Sequence, residues 1–341
     1  MIREETARPD FLEAPEPEKN ILLKADDIRV TFRGKDRKTT VKAVDGVSLS
    51  IHKGEILGIV GESGCGKSTL GRAILNLIPL TSGKVYFEGQ DLSTLSKKEM
   101  KDMRKKMQII FQDPSASLNP RRTVEQILFE PYIIHGYKDK NYIRKDILRL
   151  LELVGLAEYH LSRYSYELSG GQKQRIGIAR ALALKPELII CDEAVSALDV
   201  SVQAQVLNLL MDLKKELGLT YLFISHNLNV IYQISDRVGV MYLGRLVELG
   251  PYKSLYEEPA HPYTEALLSA IPQIHEENRR ERIHLQGEVP SPINPPSGCH
   301  FHTRCPHTCE VCSMDVPPWR KVGDRHFAAC YWNPKSNEHI V

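Results

Sequence analysis

The sequence predicts a mixed α/β fold with a helical insert and a small cysteine-rich C-terminal extension. Three observations predict it. Short apolar runs of strand character occur in both halves of the chain. The stretch between them changes to a helical period, and five of the seven cysteines crowd together beyond a proline-rich segment.

Residues 1–20, polar and acidic, read as a flexible leader. Strand-like runs follow at Leu22–Phe32 and Val41–Ile51, separated by the charged turn RGKDRKTT. Glu55–Val60 (EILGIV) is a short buried strand that opens straight into a glycine-rich loop and then a helix. Further apolar strands are expected at Lys84–Phe87, Met107–Phe111, Glu187–Cys191, Tyr221–Ser225 and Arg237–Leu243. Between Phe111 and Glu187 the pattern turns helical, and DILRLLELVGL carries the 3.6-residue period of an amphipathic helix ending near Gly155. The segment EVPSPINPPSGC, residues 288–299, marks a linker into the tail.

A chain of 341 residues exceeds the usual single-domain size, so a large domain with an appendage is expected. Apolar residues make up 42%, charged residues 26%, and the net charge is only +2, which reads as globular. It lacks the strongly basic balance of nucleic-acid binders, so nucleic acid is not an expected partner. No run approaches the roughly 18 apolar residues of a membrane span. The start lacks the apolar core of a secretory signal, which points to the cytosol, where stable disulfides are rare. An odd, clustered set of cysteines there favours metal or cluster ligation over a disulfide framework.

Gly61, Glu62, Ser63, Gly64, Cys65, Gly66, Lys67, Ser68 and Thr69 spell the phosphate-binding pattern G-x-x-x-x-G-K-[ST] after a predicted strand. The glycines let consecutive backbone N–H groups turn toward phosphate oxygens, and the following helix directs its positive end at the same anion. Lys67 is expected to neutralise the β- and γ-phosphates of ATP, and Ser68 to coordinate Mg²⁺. Cys65 reads as a small filler within that loop. Glu187–Glu193 is an apolar strand ending in two carboxylates. Asp192 is expected to reach Mg²⁺, and Glu193 to polarise the attacking water as general base. Ser169, Gly170, Gly171 and Gln172 sit directly before the helical run KQRIGIARALAL and form a second anion site at a helix start. One nucleotide does not need two such sites from one chain, so this one is expected to clamp the γ-phosphate held by a partner chain. A plain N-cap is the simpler reading of the same residues.

With these motifs on one chain, the sequence resembles the ATP-binding cassette family over about residues 22–255. The resemblance implies a RecA-like core with an antiparallel β-subdomain and an α-helical subdomain. It implies that Gln112 is the Q-loop glutamine sensing Mg²⁺ and the water, that Asp199 in SALD lies at a dimer seam, and that His226 in FISHN contacts the γ-phosphate. Phe32 is implied to stack on adenine. Where the family commonly has Pro after the catalytic glutamate, this chain has Ala194.

A narrower resemblance lies in FQDPSASLNPRRTV (111–124), SALDVSVQAQVLNLL (196–210), HPYTEALLSAIP (261–272) and GEVPSPINPPSGCHFHTRCP (287–306). These are similar to the ATPase subunits of dipeptide and oligopeptide importers, whose relatives carry nickel and some glycosides. The implied organisation is a cassette at 21–255, with its helical subdomain near 113–185, and an importer-type extension at 256–341. Implied partners are a second, non-identical ATPase subunit, two integral-membrane permease subunits and an extracytoplasmic peptide-binding protein, which places the chain at the cytoplasmic membrane face. Docking on the permease is expected around Asp113–Tyr137.

In the tail, Cys299, Cys305, Cys312 and Cys330 match the group's cysteine positions. Thiolates suit zinc or an iron–sulfur cluster, and four cysteines satisfy either. The resemblance implies a [4Fe–4S] cluster. Cys309 is an extra thiol that could compete, and His300, His302 and His307 read as surface or supporting residues. A tail this small buries little core by itself, so a metal staple would also stabilise it. Two other classes fit less well. Cassette proteins of translation or DNA repair usually carry two cassettes or long coiled-coil insertions, and a redox or metal sensor would leave intact ATPase motifs idle.

Overall fold

The computed structural model describes residues 20–34, 39–271 and 281–340. The expected leader up to residue 19 and the middle of the charged turn, 35–38, lie outside them. In chain order the elements are β1 (Ile21–Arg33), β2 (Thr40–His52), β3 (Ile56–Val60), α1 (Lys67–Ile74), β4 (Ser82–Phe87), β5 (Gln90–Asp91), α2 (Lys97–Lys106), β6 (Met107–Ile110) and α3 (Pro114–Ser117). Next come α4 (Val124–Ile134), α5 (Lys140–Leu153), α6 (Gly170–Leu182), β7 (Leu188–Asp192), α7 (Val200–Leu217), β8 (Thr220–Ile224), α8 (Leu228–Ile234), β9 (Arg237–Tyr242) and β10 (Arg245–Pro251). The remainder holds α9 (Tyr252–Glu257), α10 (Pro262–Ser269), α11 (Glu310–Met314), β11 (Trp319–Gly323), β12 (His326–Ala329), β13 (Trp332–Asn333) and β14 (Glu338–His339).

Contacts divide the chain into two compact units, one made of residues up to 52, 57–91 and 226–341, the other of 53–56 and 92–225. In the first, β2-β1-β4-β5 form an antiparallel sheet. Leu23, Ala25, Ile28 and Val30 of β1 are buried. The alternation changes phase where the register slips beside Asp27, whose φ is +44°. The same unit pairs β3 with β9 in parallel, and then β9, β10, β12 and β11 in antiparallel order. Every residue of β3 is buried, as its unbroken apolar run predicts for a strand covered on both faces.

The second unit stacks β6, β7 and β8 in parallel, again with β7 and β8 wholly buried. Its helices follow their caps. α5 starts at Asp139, which accepts from Asn141 and Tyr142 N–H, and Gly155 (φ +68°) turns the chain just past its end. Ile143, Ile147, Leu150 and Leu151 form its buried stripe, each contributing about 1.5–3 kcal/mol on burial. Asp146 on that stripe accepts a 2.6 Å hydrogen bond from the Tyr132 hydroxyl of α4.

The sequence reading misses β5 and the strands after β9, of which β10 is the most instructive. RLVELGP carries Glu248 at its centre, yet β10 is a central strand and Glu248 is fully buried. The carboxylate is tolerated because it accepts from the backbone N–H groups of Ala260 (2.8 Å) and His261 (2.9 Å) and bonds His326 Nε2 at 2.7 Å.

The residues around the clustered cysteines take their core from β9 and α10. Phe301 is buried, with its ring centroid 5.2 Å from that of Tyr242 and 5.3 Å from that of Tyr263, while β12 pairs with β10. His300 is therefore not a surface residue. It is buried, and its Nδ1 lies 2.9 Å from the Leu243 carbonyl. His307 stacks on Trp332 at 4.1 Å.

His261 caps α10, its Nδ1 accepting from the Tyr263 N–H at 3.0 Å, and complete burial pushes its pKa down to about 3. A protonated Nδ1 could not accept that bond. Because the folded value lies below the usual 6.5, the unfolded chain takes up the proton first. Stability is full above pH 6.5 and is lost as pH falls toward 3, by about 2 kcal/mol at pH 5. His261→Asn keeps a capping acceptor without the titration, so its urea midpoint is expected to fall less than the wild type's between pH 7.5 and pH 5. An equal fall in both chains would refute this.

Candidate active site

In the first unit, β3 delivers the phosphate-loop residues Gly61–Lys67 into α1. Gly66 has φ +105°, and a Cβ there would stand 2.0 Å from the Ala43 carbonyl. Gly61 is equally confined, its Cβ position 2.1 Å from the Met241 carbonyl. Only glycine fits either place, which is the physical content of the motif's spacing. No side chain caps α1, so its first amides point into the loop with the helix dipole behind them. Lys67 is almost buried, and its ammonium donates to the Gly61 and Glu62 carbonyls at 2.9 Å each. Cys65 is buried beside it, and burial pushes the thiol pKa up. That suits a small filler and not a reactive thiol.

Phe32, on β1 of the same unit, is 44% exposed. His226 lies in the exposed turn before α8, also in this unit.

The second unit holds the acidic and helix-start residues. Buried β7 ends in Asp192, 1% exposed. Glu193 follows in the left-handed region at φ +48°, its N–H donating to the Ile224 carbonyl at 3.0 Å. A non-glycine residue there costs about 1–3 kcal/mol and turns the carboxylate off the strand line. Gln112 Nε2 donates to Glu193 Oε2 at 2.9 Å, so two residues paired only by motif order are in direct contact. Ala194 is buried at 1% exposure. The missing proline leaves an N–H where the chain turns, and Glu193 keeps its place without it.

Ser169 forms a reciprocal capping box with Gln172. Its Oγ accepts from the Gln172 N–H at 3.3 Å, and Gln172 Oε1 accepts from the Ser169 N–H at 3.0 Å. The simple N-cap reading is thus real, and it leaves Gly170 and Gly171 at the exposed helix start. A Cβ on Gly171 would meet Val202 at 2.7 Å. Asp199 caps α7, accepting from Val202 N–H (3.0 Å) and Ser201 Oγ (2.7 Å), which lowers its pKa.

In the tail, Cys312 and Cys330 are buried, and Cys309 Sγ lies 3.4 Å from Cys312 Sγ. Burial, reinforced by neighbouring cysteines, pushes Cys305 and Cys330 up to about 12 and Cys312 up to about 11. The neighbours acting on Cys305 are Cys299, Cys312 and Cys309, so the thiols share one locality. Among the described residues, no three His, Cys, Asp or Glu side chains close around a single metal ion. The expected metal-binding character of the tail is therefore not borne out as a single-ion site.

Residues the sequence reading missed gather at the loop's rim. Tyr263 Oη accepts from the Glu62 N–H at 2.9 Å, and Arg304 Nη1 bonds Glu62 Oε2 at 2.9 Å. No periodicity or motif spacing links positions 62, 263 and 304.

A glycine-confined phosphate loop and a strand-end Asp-Glu pair define a phosphate-loop NTPase, and the Ser-Gly-Gly-Gln helix start at 169–172 points to the cassette class. Family models agree. "ABC transporter" matches residues 44–196, and "Oligopeptide/dipeptide transporter, C-terminal region" matches residues 247–312. The chain is 55% identical over 294 residues to the oligopeptide transport ATP-binding protein AppF of Bacillus subtilis, covering 85% of this chain and 89% of that protein. A putative peptide import ATP-binding protein of Brucella ovis is 53% identical, with 86% and 93% covered. Among solved structures, the dimeric ATP-binding cassette MJ0796 bound to ADP and Pi matches at TM-score 0.61 and 30% identity, covering 67% of this chain and 98% of that one. The cbiO1 protein of Clostridium perfringens, part of the ABC transporter complex cbiONQ, matches at TM-score 0.61 and 29% identity, covering 70% and 92%. The chain belongs to the ABC transporter ATP-binding proteins, in the oligopeptide transport group, and is an ABC-type ATPase. No helix among the described residues is long and apolar enough to cross a membrane.

Proposed function

We propose that this ATPase drives uptake of dipeptides or oligopeptides as the motor of an importer whose permease subunits are separate chains. The observation that carries the reading is a cassette and an oligopeptide-transporter C-terminal region on one chain. The partners are a second cassette subunit, two membrane permeases and an extracytoplasmic peptide-binding protein, and the chain works at the cytoplasmic face. Residues 21–255 form the cassette, with the helical subdomain at 113–185, and 256–341 the extension.

Within the cassette, the phosphate-loop amides from Gly61 to Thr69 and the Lys67 ammonium hold the β- and γ-phosphates, and Phe32 stacks on adenine. Ser68 and Asp192 hold Mg²⁺, which neutralises phosphate charge. Glu193 takes the proton of the attacking water, Gln112 orients that carboxylate, and His226 contacts the γ-phosphate. Ser169, Gly170, Gly171 and Gln172 face the nucleotide of the second cassette, with Asp199 at the seam. The MJ0796 cassette is dimeric in its post-hydrolysis state, which supports the pairing. Ile133, Ile134 and Tyr137 are exposed and supply an apolar docking face for a permease.

Cys299, Cys305, Cys312 and Cys330, with Cys309 adjacent, hold an iron–sulfur cluster. What supports this is an all-sulfur, half-buried to buried donor set whose members lie close enough to raise one another's pKa, so a cationic centre would bind there by displacing their protons. Such a centre would staple the small tail.

Two measurements test the reading. With permeases and binding protein in vesicles, peptide should raise ATP hydrolysis several-fold, and unchanged hydrolysis refutes import. After anaerobic purification, iron and sulfide should appear in equal amounts. Zinc at one per chain without iron refutes the cluster.

A further inference from the structure

Glu62 is the first variable residue of the phosphate loop, and it carries a negative charge next to a site for anions. The fold answers that charge from the far end of the sequence. Arg304 grips the carboxylate with both arms of its guanidinium, Nη1 to Oε2 at 2.9 Å and Nη2 to Oε1 at 3.2 Å. The fork is nearly sealed from solvent, at 8% side-chain exposure for Arg304. It also donates to the Tyr242 hydroxyl at 3.4 Å and lies over the Tyr242 ring, 5.9 Å from its centroid.

Arg304 is itself held. It ends the short turn His302–Arg304, and that turn is anchored by buried Phe301 between the Tyr242 and Tyr263 rings. Tyr263 then accepts from the Glu62 backbone N–H, while the Glu62 carbonyl accepts from Lys67 Nζ. Thus the tail holds Glu62 by side chain and backbone, and the same residue supplies a resting acceptor for the phosphate-binding lysine.

We propose that Arg304 is a positioning residue for ATP binding: it fixes the rim of the phosphate loop and cancels the Glu62 charge beside the nucleotide phosphates. The role rests on the chain being a cassette ATPase and is independent of what the tail cysteines hold. A bidentate pair with a largely buried guanidinium fixes direction as well as charge, which a lysine or a surface pair does not. Loss of the clamp should weaken ground-state and transition-state binding of ATP alike, so it should appear in KM and not in kcat.

The test uses the full chain, measuring Mg-ATP binding and steady-state hydrolysis. Arg304→Gln is expected to raise the ATP KM about tenfold with kcat at saturation within about twofold. Glu62→Gln alone should raise KM only about threefold, because it loosens the clamp but also removes the charge that repels the phosphates. The double variant R304Q/E62Q should match E62Q, so removing the carboxylate rescues the arginine loss. A merely structural arginine would show no such rescue. Arg304→Lys, the variant to use if R304Q does not fold, should raise KM about threefold and again be rescued by E62Q. Wild-type KM in R304Q or R304K, or multiplicative effects in the double variant, would overturn the proposal. Failure of the wild-type chain to bind ATP would instead refute the cassette reading.

Discussion

Glu193→Gln is expected to lower ATP turnover by about 10²-fold or more while leaving ATP bound, because it removes the general base and nothing else. The substitution is informative for a structural reason. Glutamine keeps the shape of the side chain, so the backbone at φ +48° and the N–H bond to the Ile224 carbonyl need not change. Its amide oxygen can still accept from Gln112, which replaces the 2.9 Å bond that orients the carboxylate. What disappears is the negative charge that receives the water's proton. The measurement is single-turnover hydrolysis alongside retained nucleotide after gel filtration in Mg-ATP. Hydrolysis at the wild-type rate would remove Glu193 from the role of base.

Glu248→Ala should cause the largest loss of stability outside the phosphate loop. It would leave three buried donors behind, the N–H groups of Ala260 and His261 and the His326 ring, where the carboxylate now accepts all three. Stripping one partner from a buried charged network costs about 3–5 kcal/mol, since each group left behind has lost its water as well. Glu248→Gln keeps an acceptor oxygen and should cost less. The readout is specific, because the chain's two tryptophans, Trp319 and Trp332, both lie in the tail. Their fluorescence in urea follows the part that Glu248 ties to the cassette strand. A midpoint unchanged in the alanine variant would show that the network is dispensable.

Much of this chain is legible from local pattern. The strands at 55–60 and 187–191 are readable as apolar runs bounded by polar or turn residues, and those at 22–32 and 41–51 by apolar residues interleaved with polar ones. The phosphate loop is readable because Gly61 and Gly66 have no alternative. β10 is not, because Glu248 breaks the apolar run, and only its partners in α10, its flank and β12 make a buried carboxylate tolerable. The four tail cysteines can be chosen by resemblance, yet spacing cannot reveal how near Cys309 comes to Cys312.

By itself, then, the sequence determined the cassette and the order of its motifs, since these depend on residues close together along the chain whose chemistry has few substitutes. The tertiary structure decided how distant residues serve them. It put Gln112 on Glu193, made Ser169 a helix cap, and brought Tyr263 and Arg304 to the phosphate loop. The reason is physical. A hydrogen bond across 81 or 242 residues leaves no period in either partner's neighbourhood, and only packing decides that the two atoms meet.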